Sequence, residues 1–162
     1  MADVIRQARR EDLDACFAIE SLGFPEAEAA TYDSIRARIE AYPESFLIFE
    51  RNGQIIGYVM GAVIDKIYIQ DEMFSDTSLH NRDNPYQAIF SVCTHPDFRR
   101  QGVAGALLQE LIRLCKARGK KAITLTCKAE KLAYYAKFGF ADHGVAGSTH
   151  GGALWYNMVC EL

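Results

Sequence analysis

What this chain lacks narrows it first. No apolar run among its 162 residues approaches the roughly 20 needed to cross a bilayer. The opening Met1-Ala2-Asp3-Val4-Ile5-Arg6 has no hydrophobic core of a secretory signal. Neither sign of charge dominates: 18 Lys and Arg stand against 21 Asp and Glu, a formal net charge of −3. Such a balance makes no electrostatic bid for nucleic acid or an anionic membrane. The five cysteines, Cys16, Cys93, Cys115, Cys127 and Cys160, are odd in number and contain no C-x-x-C pair. They read as reduced, buried small hydrophobes of a cytoplasmic protein. The histidines His80, His95, His143 and His150 are scattered without metal-ligand spacing, so no metal site is expected. Repeats and low-complexity linkers are absent too. A chain of this length can bury roughly 70% of its unfolded surface around one core. A single domain over residues 1–162 is expected, in a monomer or a homodimer.

What is present reads as alternating strands and helices. Val4–Ala8 is a first strand, and 12–19 carries apolar residues at helical spacing behind an acidic start. Gly23-Phe24-Pro25 breaks that helix. A second runs from Thr31, a plausible N-cap, to Ala41, and Pro43 ends it. Two β-rich runs, 45–50 and 54–61, flank Arg51-Asn52-Gly53, a strong hairpin signal. Between about Asp65 and Pro85 the pattern fades into an acidic stretch, long for a passive connection and hence a candidate substrate-facing loop. Residues 87–94 read as one strand. A long helix over about 102–118 carries an apolar stripe at Val103, Leu107, Leu111 and Leu114, widened by Leu108, Ile112 and Cys115, and Gly119 is its C-cap. Then come a strand at 122–127, a short helix over about 130–138 closed by Gly139, and a last strand at 153–160. The order β-α-α-β-β-β-α-β-α-β places the chain among α/β (α+β) folds on a mixed sheet.

The most informative string is Phe98-Arg99-Arg100-Gln101-Gly102-Val103-Ala104-Gly105-Ala106, set between a strand and the long helix. The first turn of a helix has unpaired N–H groups and partial positive charge. Small residues there let a pyrophosphate approach. Gly102 permits a tight turn, Ala104 and Gly105 keep the approach clear, and the arginines add charge. Neither a Walker loop nor G-x-G-x-x-G is present. On its own the string also reads as a glycine-softened helix start with two solvated arginines. Leu132-Ala133-Tyr134-Tyr135-Ala136-Lys137-Phe138-Gly139-Phe140, taken alone, is an amphipathic turn ending at a glycine.

Together the two strings resemble the GNAT superfamily of N-acetyltransferases. Arg99–Ala104 matches the family's R/Q-x-x-G-x-G/A loop, and Tyr135–Phe140 its Y-x-K-x-G-F ending. Within the family the chain looks most like the arylalkylamine N-acetyltransferases and their bacterial relatives. It shares Leu79-His80, His95-Pro96-Asp97-Phe98-Arg99 and Leu125-Thr126-Cys127 with them. The resemblance implies a GNAT-type, mostly antiparallel mixed sheet flanked by helices, and acetyl-CoA as co-substrate with no metal. It further implies that Arg99, Arg100, Gln101, Gly102, Val103, Ala104 and Gly105 hold the pyrophosphate. The backbone of Val92, Cys93 and Thr94 would hold the pantetheine arm, with an N–H around Val92 polarising the thioester carbonyl. Tyr135 falls at the place of the general acid that protonates the departing thiolate, a role a neutral phenol can fill.

An alkylamine acceptor must lose a proton first. With a pKa near 10.4, about one part in a thousand is neutral at pH 7.4, equivalent to roughly 4 kcal/mol of barrier. The histidine pair that serves vertebrate arylalkylamine N-acetyltransferases aligns with Ala88 and Phe90 here, so that device is missing. Replacement bases are sought in the acidic loop, at Asp65, Asp71, Glu72, Asp76, Asp83 or His80, whose carboxylates also suit an ammonium substrate. Cys127 reads as a buried strand thiol rather than a nucleophile. The expected activity is direct acetyl transfer from acetyl-CoA to a primary amine, a small arylalkyl- or polyamine. Acetylation of a protein or peptide and a non-catalytic acyl-CoA-binding module are the alternatives.

Overall fold

The computed structural model describes residues 2–148 and 150–162; Met1 and Thr149 lie outside them. Two sheets share the fold. The first runs in the order β1 (Asp3–Gln7), β2 (Phe46–Arg51), β3 (Gln54–Met60), β6 (Ser91–Thr94). The second runs β4 (Val63–Ile64), β5 (Tyr86–Ile89), β7 (Ala122–Cys127), β9 (Tyr156–Glu161), β8 (Ala141–Val145). All the strand pairings are antiparallel except β5 with β7. The mixed, mostly antiparallel pairing that the family resemblance implies is what forms, divided between two sheets.

Helices cover both faces. α1 (Leu13–Gly23) and α2 (Tyr32–Ala41) bury Cys16, Ile19, Ile35 and Ile39 against Phe46, Ile48, Tyr58 and Met60. Thr31 caps α2, its Oγ1 accepting the Ser34 N–H at 3.1 Å. On the other face α3 (Val103–Ala117) buries Val103, Leu107, Leu108, Leu111 and Cys115, each apolar side chain worth about 2 kcal/mol of burial. Leu114 and Ile112 of the expected stripe are only half-buried at its margin. α4 (Leu132–Ala136) follows a 3-10 turn at Ala129–Lys131, so the short helix is shorter than its pattern predicts. Asn52 and Gly53, with φ of 51° and 81°, make the β2–β3 hairpin turn.

Three sequence expectations are corrected. The run 87–94 is not one strand: it breaks at Phe90 into β5 and β6, which belong to different sheets. Phe90 and Ser91 both oppose Met60, Phe90 through its N–H to the Met60 carbonyl at 2.8 Å, and this extra residue bends the chain. The last strand starts at Tyr156, because residues 150–152 turn instead of extending. β8 and the two-residue β4 were not anticipated. β8 is exposed at every position and shows no alternation for a pattern to reveal.

Candidate active site

The break at Phe90 opens the molecule. β5 pairs with β7 as far as Ile89 and Leu125, whereas β6 pairs only with β3. Beyond that point the sheets part around a cavity of about 690 Å³, with β6 on one wall and Thr126 and Cys127 of β7 on the other. Antiparallel partners alternate between bonded and non-bonded pairs. The His95 N–H donates to the Ile56 carbonyl at 2.8 Å in register with the β3–β6 ladder. Counting back in twos, Cys93 and Ser91 bond to β3, and Val92 and Thr94 direct their N–H and C=O groups away from it, to the open edge.

Past the end of β6 the chain turns into α3. Arg100 and Gly102 hold φ of 64° and 80°, and the first helical bond is from Ala106 N–H to the Gly102 carbonyl at 3.0 Å. The N–H groups of residues 103–105 therefore have no partner within the helix. Gly102 is needed for its left-handed φ, since a Cβ there would meet nothing. Arg99, Arg100, Gly102, Val103 and Ala104 line the cavity, as do Val92, Cys93, Thr94 and Tyr135. Gln101 and Gly105 do not. Gln101 Oε1 accepts from Arg51 at 2.6 Å, and a Cβ on Gly105 would lie 3.1 Å from the Phe138 ring. The smallness of Gly105 thus serves the packing of α3 on Phe138.

Tyr135 enters the cavity from α4, edge-on to Tyr134 and Phe140 at 5.3 and 6.0 Å between ring centres. Burial, with smaller contributions from Cys127, Tyr134 and Cys93, pushes its phenol well above the usual value, so it stays protonated. Burial likewise pushes the cavity thiols Cys93 and Cys127 up to about 11. All five cysteines are free and buried, and neither cavity thiol is an activated nucleophile.

Beside the start of β6 the walls are aromatic: Phe24, Phe74, Phe90 and Trp155, with His150 stacked on Phe74 at 4.9 Å. His150 Nε2 meets the Glu28 carbonyl at 3.0 Å, and Trp155 Nε1 donates to the His150 carbonyl at 2.7 Å. Glu28 pairs with Lys128 at 2.7 Å. Glu20 lines this end from α1 and is only 2% exposed. Its Oε1 accepts from Tyr58 Oη and from Ser91 Oγ (2.8 Å), and its Oε2 from the Ala30 N–H at 2.9 Å.

The acidic loop is a correction. It folds into two 3-10 turns packed beside α2 and β4, and only Phe74 of it lines the cavity. Asp65, Asp71, Glu72, Asp76, Asp83 and His80 do not reach it. His80 Nδ1 accepts the Val63 N–H at 2.9 Å, its Nε2 lies 3.2 Å from Glu44, and its ring packs on Tyr42. Asp71 accepts from Ser148 Oγ. Ala88 is wholly buried, while Phe90 faces the cavity. Sequence reasoning missed Glu20, Glu28, His150 and Trp155. Glu20 had a signal: four residues after Cys16, it is an acid on the buried stripe of an amphipathic helix. The others lie on loops, which carry no periodicity. Among the described residues no group of His, Cys, Asp or Glu could hold a metal ion, and no helix is long and apolar enough to cross a membrane.

Residues 7–140 match the model of the acetyltransferase (GNAT) family. Serotonin N-acetyltransferase of Mesocricetus auratus is 26% identical over 131 residues, 80% of this chain and 62% of that enzyme, so the match spans less than two thirds of the relative. Among solved structures, the loading GNATL domain of CurA from Lyngbya majuscula superposes with a TM-score of 0.85 at 16% identity, covering 99% of this chain and 98% of that one. Salmonella typhimurium yncA, solved with its cofactor acetyl-CoA, superposes with a TM-score of 0.72 at 20% identity, covering 100% and 95%. At such identities the two structures speak for the fold alone.

Proposed function

The chain belongs to the GNAT family of acetyltransferases, and we propose that it moves the acetyl group of acetyl-CoA directly onto the primary amine of a small molecule. The cavity fits the co-substrate on its own features. Unpaired N–H groups at 103–105 with Arg99 and Arg100 suit a pyrophosphate, and the outward N–H and C=O groups of Val92 and Thr94 suit the amides of a pantetheine arm. When bound, acetyl-CoA supplies an activated thioester.

The residues of this chain then divide the work. The Val92 N–H, fixed on a strand, stabilises negative charge developing on a carbonyl oxygen. Tyr135 holds a proton through neutral pH and gives it to the departing sulfur. With Cys93 and Cys127 protonated, no acyl-enzyme is expected and both substrates bind before transfer.

One observation carries the choice of a small acceptor: the end of the cavity beside β6 is lined by aromatic rings and by the 150–152 turn. The 150–152 turn seats on Ala27 and Glu28 so closely that a Cβ on Gly151 would lie 2.6 Å from Glu28 Cγ. With Phe74 and Trp155, His150 of that turn gives this end an aromatic surface suited to a small arylalkyl body. The test is thiol release from acetyl-CoA against arylalkylamines, polyamines, amino acids and short peptides. Amine-dependent release with arylalkylamines is expected. Turnover confined to peptides would overturn the small-acceptor reading, ping-pong kinetics the direct transfer, and tight binding without turnover the catalytic reading.

A further inference from the structure

Glu20 is a buried carboxylate with no cation. Among the described residues no Lys, Arg or His pairs with it, whereas Glu28 is neutralised by Lys128 and the other cavity acid, Glu130, is exposed. Burying an unpaired carboxylate is costly, and such groups are normally paired or neutralised. Its three hydrogen bonds all come from neutral donors: Tyr58, Ser91 and the Ala30 amide. Three converging donors suit an ionised carboxylate, which only accepts. The titratable groups facing it are Tyr58 on β3, Cys93 on β6 and Cys16 on its own helix. Burial pushes all three up, Cys93 to about 11 and Cys16 to about 12, so they stay neutral beside the carboxylate; being acids, none could be a compensating cation.

The position is as informative as the charge. Ser91, 6% exposed and lining the cavity, donates to Glu20 and immediately precedes Val92. The carboxylate therefore sits beside the stretch of β6 whose N–H points into the gap. The surrounding walls are Phe24, Phe74, Phe90 and Trp155; the buried Arg38 of α2 already lies over Phe90 at 5.3 Å and Lys128 over Trp155 at 5.8 Å, which shows that these rings accept cations. A carboxylate that no Lys, Arg or His pairs with among the described residues, set in an aromatic-walled end of the cavity, describes a receptor for an ammonium group on an apolar body.

We infer that Glu20 receives the acceptor as its ammonium ion and takes the proton that frees the nitrogen for attack. This rests on the acetyl-transfer reading above. The acceptor enters as R–NH3+, and one proton passes to Glu20 and then to solvent. The nitrogen lone pair forms the C–N bond as the C–S bond breaks. Tyr135 gives its proton to the departing sulfur and is restored by the second proton from the nitrogen. The products are the amide, free thiol and one proton.

The sole tryptophan, Trp155, lines the cavity and reports binding without turnover. Titrating the acetyl-CoA-free protein at pH 7 with phenethylammonium and with its neutral near-isostere 2-phenylethanol should show at least about tenfold tighter binding of the cation. Equal affinities in the wild type would overturn the inference without any variant. Glu20→Gln, checked for folding and acetyl-CoA affinity, should lose that preference. It should also lose on the order of a hundredfold in kcat/KM for phenethylamine at pH 7. On 2,2-difluoro-2-phenylethylamine, a far weaker base, the loss should shrink to a few-fold. It should shrink likewise for phenethylamine as pH approaches 10. Equal losses on both amines at every pH would make Glu20 a structural residue and overturn the proposal. If the wild type prefers the ammonium yet acetylates no amine, the proposed reaction and the proton transfer fall and only recognition stands.

Discussion

Gly61 and Ala88 are in contact where no side chain fits: a Cβ built on Gly61 would lie 1.9 Å from the Ala88 carbonyl oxygen. This approach lies where the sheets part. The Ala88 N–H donates to the Ala62 carbonyl, and the buried Gln87 side chain donates to the Gly61 and Ala88 carbonyls at 2.9 and 2.7 Å. Gly61→Ala must push β5 away from the end of β3. We expect a loss of more than about 3 kcal/mol in urea unfolding, beyond the range of ordinary substitutions. A near-native midpoint would mean that the junction yields easily.

Tyr135→Phe removes one oxygen from a ring held by Tyr134 and Phe140. A proton donor in the transition state is worth about 10²–10⁴ in rate. We expect kcat to fall at least about a hundredfold, with acetyl-CoA affinity by calorimetry within about threefold. Equal losses in both would reassign Tyr135 to binding.

Gly102→Val places a β-branched residue at φ 80° at the head of α3. Left-handed backbone costs a non-glycine residue about 1–3 kcal/mol, so the turn should relax and spoil the N–H cluster at 103–105. We expect about tenfold weaker acetyl-CoA binding, while turnover of S-acetylpantetheine, which has no pyrophosphate, changes little. Unchanged acetyl-CoA affinity would remove the anion-binding assignment.

Asp12 ties β1 to the start of α1. It accepts two bonds from Arg6, at 2.7 and 2.9 Å, and one from the Arg9 N–H at 2.7 Å. Burial alone would raise its carboxyl, but the Arg6 guanidinium and the Arg9 amide outweigh it and hold it below the usual value. A depressed carboxyl stabilises the fold fully above the unfolded pKa of about 3.9. That contribution is lost as pH falls through the folded value. Asp12→Asn should therefore cost about 3 kcal/mol at pH 7 and progressively less below about pH 4. A difference independent of pH down to pH 2 would contradict this.

Local signals carried much of the molecule. The stripe of α3, the Asn52-Gly53 turn, the Thr31 cap and the glycine-softened loop at 99–104 each depend on residues a few positions apart, and each forms where the pattern places it. The acidic loop misled because charge was read as proximity to substrate. Its acids point away from the cavity, Asp71 toward the Ser148 hydroxyl, and the group that reaches the cavity is apolar Phe74. β8, without a buried face, had no pattern to read.

The sequence by itself determined the family, through two short strings whose chemistry is local: a helix start that exposes N–H groups beside arginines, and a tyrosine one turn before a glycine. Only the tertiary structure decided where the cavity opens and what lies in it. The break at Phe90 lies beside the contact of Gly61, between β3 and β4, with Ala88 on β5, residues 27 positions apart. Glu20 becomes a cavity acid only because α1 packs it against Tyr58 on β3 and Ser91 on β6. Burial, exposed strand edges and unpaired charge belong to the packed ensemble of elements, so no window along the chain contains them.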